Sequence, residues 1–168
     1  MKVKILEVSS GELKRAIIKE GNKRKLPSIQ DGWIFNLHSK ATNARAYILV
    51  HEDTPETIEG CMIFSIHETF GPFMNFLEVA PHNKGKQGKY KHVAGCLIAY
   101  ACGLSFEQGV AEDKGILTFL AAGKSKKSVE ELEELYRQKY GANKNPFGYM
   151  EIYQDQSKRL IKEYLDRN

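Results

Sequence analysis

Between Arg45 and Pro81 the chain alternates apolar, branched runs with short polar connections, and no stretch there is long enough for a helix. "RAYILVH" (45–51), "IEGCMIFSIH" (58–67) and "MNFLEVAP" (74–81) each read as a strand, separated by the turn signals "DTPE" (53–56) and "GP" (71–72). Strands joined by so few residues must reverse direction, because a parallel crossover needs a dozen residues or more. The centre of the fold is therefore expected to be an antiparallel meander.

The flanking segments fill out the architecture. "VKILEV" (3–8) reads as a strand. In "SSGELKRAIIKEG" (9–21), Ser9 and Glu12 stand at capping-box spacing, Leu13, Ala16 and Ile17 suggest one apolar face, and Gly21 supplies a stop. That pattern predicts a short amphipathic helix. Residues 21–32 are polar, with Pro27 and Gly32, and read as a loop before a strand at "GWIFNL" (32–37). Beyond Pro81 the period changes. Val93, Leu97, Ala101 and Leu104 follow helical spacing towards Gly109. "GILTFLAA" (115–122) suits a strand buried on both faces. A second capping box, Ser128 and Glu131, opens a helix with Val129, Leu132, Leu135, Tyr136 and Tyr140 on one face. "GYMEIY" (148–153) reads as a strand, and Asp155 caps a last helix carrying Leu160, Ile161, Tyr164 and Leu165. The class is α+β.

Composition narrows the function. A chain of 168 residues suits one domain, spanning 1–168, with a real core. A net charge of +4 favours an anionic ligand without calling for nucleic acid. The start, "MKVKILEVSS", lacks a signal peptide's apolar run, and no segment approaches a membrane span. Cys61, Cys96 and Cys102 are odd in number and have no metal-binding spacing. They are expected to be buried thiols of a cytoplasmic protein, with no metal site.

The most distinctive stretch is "NKGKQGKYKHVAGCLIAY" (83–100), whose first nine residues hold four lysines and two glycines. A basic loop that opens a helix presents unpaired backbone N–H groups and the positive end of the helix dipole. A pyrophosphate fits that combination, with the backbone of Lys89, Tyr90, Lys91, His92, Val93, Ala94 and Gly95 as its cradle.

The order of elements around this loop resembles the GNAT family of acetyl-CoA-dependent N-acetyltransferases. The likeness rests on "VAP" followed by "KYKHVAGCL" and on the helix end "ELYRQKYGA", and it covers roughly residues 58–153. In the family's loop signature Lys89 stands at the Arg/Gln position, His92 at a glycine position, Ala94 at the closing small residue and Leu97 at the apolar site. The loop is longer than usual, and that extra length is expected to relieve His92 of a positive φ. "GKSKKS" lacks the asparagine that often meets the pantetheine arm. The resemblance implies a mixed, mostly antiparallel sheet of about six or seven strands with helices on both faces. It also implies acetyl-CoA as cofactor, wedged between two splayed strands at 74–80 and 115–122, with the Val79 and Ala80 amides nearest the acyl group. The acceptor would be a primary amine of unidentified class.

Glu78 stands among Phe76, Leu77, Val79 and Ala80, so its carboxylate is expected to be partly desolvated and suited to act as the base. Tyr136 matches the family's leucine–tyrosine pair and is the candidate acid, with Tyr140 competing. His51, His67 and Glu68 are weaker bases, and Tyr149 and Tyr153 are candidates for lining an acceptor site. Two other functions fit the same residues: a non-catalytic acyl-CoA-binding domain, and an RNA-directed acetyltransferase toxin acting on charged tRNA. Monomer and homodimer are both open.

Overall fold

A computed structural model describes residues 1–34 and 43–167. The meander forms as expected. Strands β1 (Lys2–Glu7), β2 (Leu13–Gly21), β3 (Arg45–His51), β4 (Thr54–His67) and β5 (Gly71–Val79) pair in sequence, each antiparallel to the last. After them come β6 (Tyr90–Lys91), α1 (Val93–Gln108), β7 (Leu117–Phe119), α2 (Lys126–Tyr140), β8 (Asn143–Lys144), β9 (Met150–Ile152) and α3 (Gln154–Tyr164). Among the described residues the sheet has nine strands in the order β6-β1-β2-β3-β4-β5-β7-β9-β8. The expected six or seven become nine because two-residue strands, β6 and β8, add themselves at the edges.

Residues 13–21 correct the sequence reading: they form β2, not a helix. Ala16 and Ile18 are buried while Arg15 and Lys19 point to solvent, a period of two. Pairing on both sides, Val3 with Ala16 and Ile17 with Val50, satisfies the backbone and holds the branched Ile17 and Ile18 in extended conformation. The apparent capping box belongs to the preceding turn, where Ser10 Oγ donates to Glu7 at 2.8 Å. In the expected strand at 32–37, residues 35–37 lie outside the described residues, and Gly32–Ile34 are not in a strand.

The helix starts also shift. Ser125 caps α2 reciprocally with Ser128, one turn earlier than the Ser128–Glu131 spacing suggests. Tyr153 holds the N-cap of α3, leaving Asp155 in the first turn, where its charge meets the helix dipole. Side chains from all three helices join one core cluster, with Leu97, Ile98, Leu117, Met150 and Leu160 fully buried in it. The second face of the sheet is covered differently from the expectation of helices on both sides. Among the described residues, Leu26 and Trp33, from a segment with two short 3-10 turns, pack there on Ile48, Cys61 and Ala80. The three thiols are buried as expected, and burial pushes each up to about 12, which leaves them unreactive at neutral pH. No described helix is long and apolar enough to cross a membrane.

Two glycines set the position of α1. A Cβ on Gly60 of β4 would stand 2.5 Å from Val93 and 2.9 Å from Leu97, so only glycine lets the helix lie this close to the sheet. A Cβ on Gly95 would fall 2.2 Å from the buried Tyr164 ring of α3. Gly95 is therefore a packing residue, and a bulky side chain there would act on the core before it reached any ligand. Gly95→Ala is expected to destabilise the fold by about 1–3 kcal/mol, the usual range for overpacking, as read by urea denaturation. Unchanged stability would show that Tyr164 moves aside freely.

Candidate functional site

The sheet is closed from β1 to β5 and opens between β5 and β7. These two strands are parallel, and their register consists of two pairs, Phe73 with Thr118 and Met74 with Phe119. Directly after Met74 the β4–β5 ladder shifts register, with Phe64 opposite Met74 and Ile63 opposite Phe76, so Asn75 is an extra residue. A bulge of this kind bends its strand and ends pairing. β5 thus diverges from β7, and the gap is a cavity of about 100 Å³ lined by Met74–Leu77, Phe119, Leu120, Ala122, Leu132 and Tyr136. Beyond the gap, the Ala80 N–H donates to the Glu59 carbonyl of β4 at 2.9 Å. Successive N–H groups of a strand point to opposite sides, so the Val79 N–H turns towards the opened side.

The loop after β5 folds back on itself. Pro81–Asn83 forms a 3-10 turn, and the Asn83 side chain carries the loop: its Oδ1 accepts from Tyr90 N at 2.9 Å, and its Nδ2 donates to the Glu59 carboxylate at 2.7 Å. Gly88 is needed here, since a Cβ would stand 2.4 Å from the Asn83 carbonyl. The chain then enters α1 through His92. Between this loop and the end of α2 lies a cavity of about 520 Å³, lined by Val79, Asn83, Lys84, Gly85, Tyr90, Lys91, His92, Val93, Ala94, Leu135, Lys139 and Tyr140. Three lysines and the first turn of α1 make its wall electropositive.

Six of the expected cofactor residues line this cavity: Val79, Tyr90, Lys91, His92, Val93 and Ala94. Three do not. The Ala80 amide is taken by Glu59, and Ala80 lines a different cleft. Lys89 donates its N–H to the His82 carbonyl and accepts from Val8 N through its own carbonyl, which ties its backbone between the turn and β1. Gly95 faces Tyr164. The Tyr90 amide is also occupied, by Asn83, so the cradle narrows to the first turn of α1. Lys84, Leu135 and Lys139 were not anticipated at the site, and Tyr140 was expected only as an acid competing with Tyr136. They come from a loop and a helix end whose approach to α1 is set only by the tertiary fold.

His92 departs most from expectation. It sits at φ 73°, ψ −2°, the left-handed region, so the longer loop does not relieve the position of its glycine-like conformation. Its Nδ1 is buried without a hydrogen-bond partner among the described residues. Burial, with Arg167 and Lys139 nearby, holds the imidazole below its ordinary value, so it is neutral at pH 7.

The two expected catalytic residues face opposite ways from β5. Leu77 and Val79 join the core cluster that includes Tyr136, whereas Phe76 and Ala80 belong to the clusters on the other face. Glu78 alternates with Phe76 and Ala80 and lies on that other face. Its carboxylate is buried, accepts from the Ile34 N–H at 2.9 and 3.1 Å, and pairs with Lys84 Nζ at 2.5 Å. Those partners occupy both carboxylate oxygens and hold the side chain on the face of β5 away from Tyr136. Tyr136 lies edge-on to Phe119, and burial pushes its phenol up to about 12, so it stays protonated at neutral pH. Tyr140 is more deeply buried between Tyr136 and Tyr164, and its phenol is also raised. His51 and His67 are occupied locally: the Nδ1 of the first accepts from Asp53 N, and that of the second from Thr69 N. Tyr149 packs on Phe70, and Tyr153 donates to Glu151.

No family profile matches the sequence, and no curated protein matches it. Solved structures do. "AtaTR bound with AcCoA" is 15% identical with a TM-score of 0.56, over 86% of this chain and 97% of that one. The KacTA–DNA complex is 14% identical with a TM-score of 0.57, over 88% of this chain and 99% of that one. A mutant AtaT toxin bound to the C-terminus of the antitoxin AtaR and acetyl-CoA is 17% identical with a TM-score of 0.55, covering 86% and 97%. The likeness is one of fold, and the fold is the GNAT fold.

The left-handed His92 yields a direct test. Any side chain with a Cβ is strained there by roughly 1–2 kcal/mol, whereas glycine is not, and glycine's flexibility in the unfolded chain gives back part of the gain. His92→Gly is therefore expected to be more stable than His92→Ala by about 1 kcal/mol in urea denaturation. Equal stability of the two variants would mean that the position carries no backbone strain.

Proposed function

We propose that the protein transfers an acetyl group from acetyl-CoA to a primary amine. The observation that carries this reading is that two cavities follow one another along the end of β5 and along α2. The β5–β7 gap holds Tyr136, and the larger electropositive cavity begins at Val79 and ends on the first turn of α1. A long ligand with an acyl thioester at one end and a pyrophosphate at the other matches that sequence of environments. The crystallised fold relatives named with acetyl-CoA support the same ligand.

In this reading the pyrophosphate accepts hydrogen bonds from the α1 amides of Val93, Ala94 and Gly95, and Lys91 and Lys139 offset its charge. The Val79 N–H meets the thioester oxygen and stabilises the charge that grows there on attack. The amine nitrogen bonds to the carbonyl carbon, the carbon–sulfur bond breaks, and the leaving thiolate takes a proton from the Tyr136 hydroxyl. A buried phenol suits that role because it is fully protonated before the step. Glu78 acts structurally here: its bonds to Ile34 and Lys84 fasten the segment before β3 and the basic loop to β5.

Acetyl-CoA is expected to raise the melting temperature, and the shift should shrink as salt rises from low to about 0.5 M, because lysine–phosphate attraction is screened. Tyr136→Phe should keep that shift and lower turnover roughly ten- to a hundredfold, in the general-acid range. The absence of any acetyl-CoA shift would overturn the reading. A normal shift with no transfer to a panel of primary amines would instead favour a domain that binds acyl-CoA without catalysis.

A further inference from the structure

The cofactor cavity and the gap account for one face of β5, and the other face carries a cleft of its own. It measures about 590 Å³ and is lined by Lys25, Asp31, Trp33, Glu56, Ala80, Pro81 and His82 among others. Its wall and that of the cofactor cavity are the same five residues of chain: Val79 and Asn83 line the cofactor side, while Ala80, Pro81 and His82 line this one.

Behind this wall lies a carboxylate that the acetyl-transfer scheme leaves unused. Glu59 is 1% exposed, and the pairings the structure gives its side chain are with His82 and Asn83. The His82 Nε2 stands 2.6 Å from Glu59 Oε2, and Asn83 Nδ2 donates to the same oxygen at 2.7 Å. A carboxylate this buried needs a charged or hydrogen-bonding partner to offset its lost hydration. The imidazole is the group beside it that can become a cation. A neutral His82 facing this acceptor must carry its proton on Nε2, which leaves the lone pair on Nδ1. The His82 side chain is 42% exposed at the cleft, and among the described residues none hydrogen-bonds its Nδ1. Glu59 thus fixes the tautomer and orientation and stands ready to stabilise the imidazolium.

We propose that His82, oriented by the buried Glu59, is the base that takes the proton from the acceptor amine, and that this cleft is where the amine binds. The inference rests on the acetyl-transfer reading above. The acceptor enters as an ammonium, R–NH3⁺, and gives one proton to His82 Nδ1. The resulting amine attacks the thioester carbon as the carbon–sulfur bond breaks. The attacking nitrogen loses its second proton to solvent, from which Tyr136 regains the one it gives to sulfur, and His82 releases its own to solvent. Amide, free thiol and one proton leave. Besides Glu59, the ionisable groups among the described residues that line the cleft with His82 are Lys25, Asp31 and Glu56. The last two favour a cationic amine at the mouth. His82 is the catalytic residue in this scheme, and Glu59 is a positioning residue.

The test uses the full chain, acetyl-CoA and propylamine as the probe acceptor, with CoA release and acetylated product both measured. His82→Ala is expected to keep the acetyl-CoA melting shift and to lower kcat by roughly 10²–10⁴-fold, the range for a lost general base. Imidazole added to the buffer should restore part of that rate, which no purely structural loss would allow. Glu59→Gln should lower kcat by a smaller factor and not respond to imidazole, since its own imidazole is still in place. His82→Gln, matched for polarity, checks that the loss does not come from misfolding. Wild-type kcat in both His82 variants, or a loss without imidazole rescue, overturns the proposal. So does a wild type that binds acetyl-CoA yet transfers nothing to propylamine, and that outcome leaves the cofactor reading standing. Failure of the wild type to bind acetyl-CoA removes the parent reading, and the base assignment with it.

Discussion

Everything at this site follows from one extra residue in β5. Asn75 breaks the ladder with β4, β5 bends, and its pairing with β7 ends after Met74. A parallel pair that continued would have sealed the sheet. Because it stops, a strand end with its backbone turned to the opening lies beside Tyr136, and the chain beyond Val79 is released into the turn that supports the basic loop. The same bend puts successive residues on opposite sides of a thin wall. That wall is five residues long, with Val79 and Asn83 on one side and Ala80, Pro81 and His82 on the other.

Two buried glutamates, one on each of two neighbouring strands, show how partners decide what a carboxylate can do. Glu78 is bonded twice by a backbone N–H and paired with a lysine, so its charge is already compensated and its position fixed. Glu59 is more deeply buried, and its partners are an imidazole and a side-chain amide. The first arrangement fastens loops. The second can pass a proton. Sequence context alone ranks them the other way, because Glu78 sits in an apolar strand next to the loop signature and Glu59 sits beside a glycine.

Much of the architecture was legible in the residues. The meander from Arg45 to Val79 is marked by its turn signals, the helix from Val93 to Gln108 is a long apolar run stopped at Gly109, and the tyrosine-bearing α2 carries strong periodicity. β2 was misread because Ser9, Glu12 and three apolar residues mimic a helix start, while the two flanking strands that satisfy its backbone are invisible locally. The basic loop was located correctly, but which of its amides remain open depends on Asn83, Val8 and His82, contacts that no spacing rule encodes. His92 was recognised as standing at a glycine position. That the backbone there still demands the glycine conformation is set by how the loop meets α1, so only the folded chain could show it. His82 was passed over entirely, since its partner Glu59 is a residue on another strand.

The most direct measurement is a crystal structure of the protein with CoA bound. The pyrophosphate should lie within hydrogen-bond distance of the Val93, Ala94 and Gly95 amides, with the pantetheine arm running past Val79 and its sulfur in the β5–β7 gap near the Tyr136 hydroxyl. A pyrophosphate held elsewhere, or a thiol that enters the cleft beside Trp33 and His82 instead of the gap, would contradict the assignment of the two faces of β5.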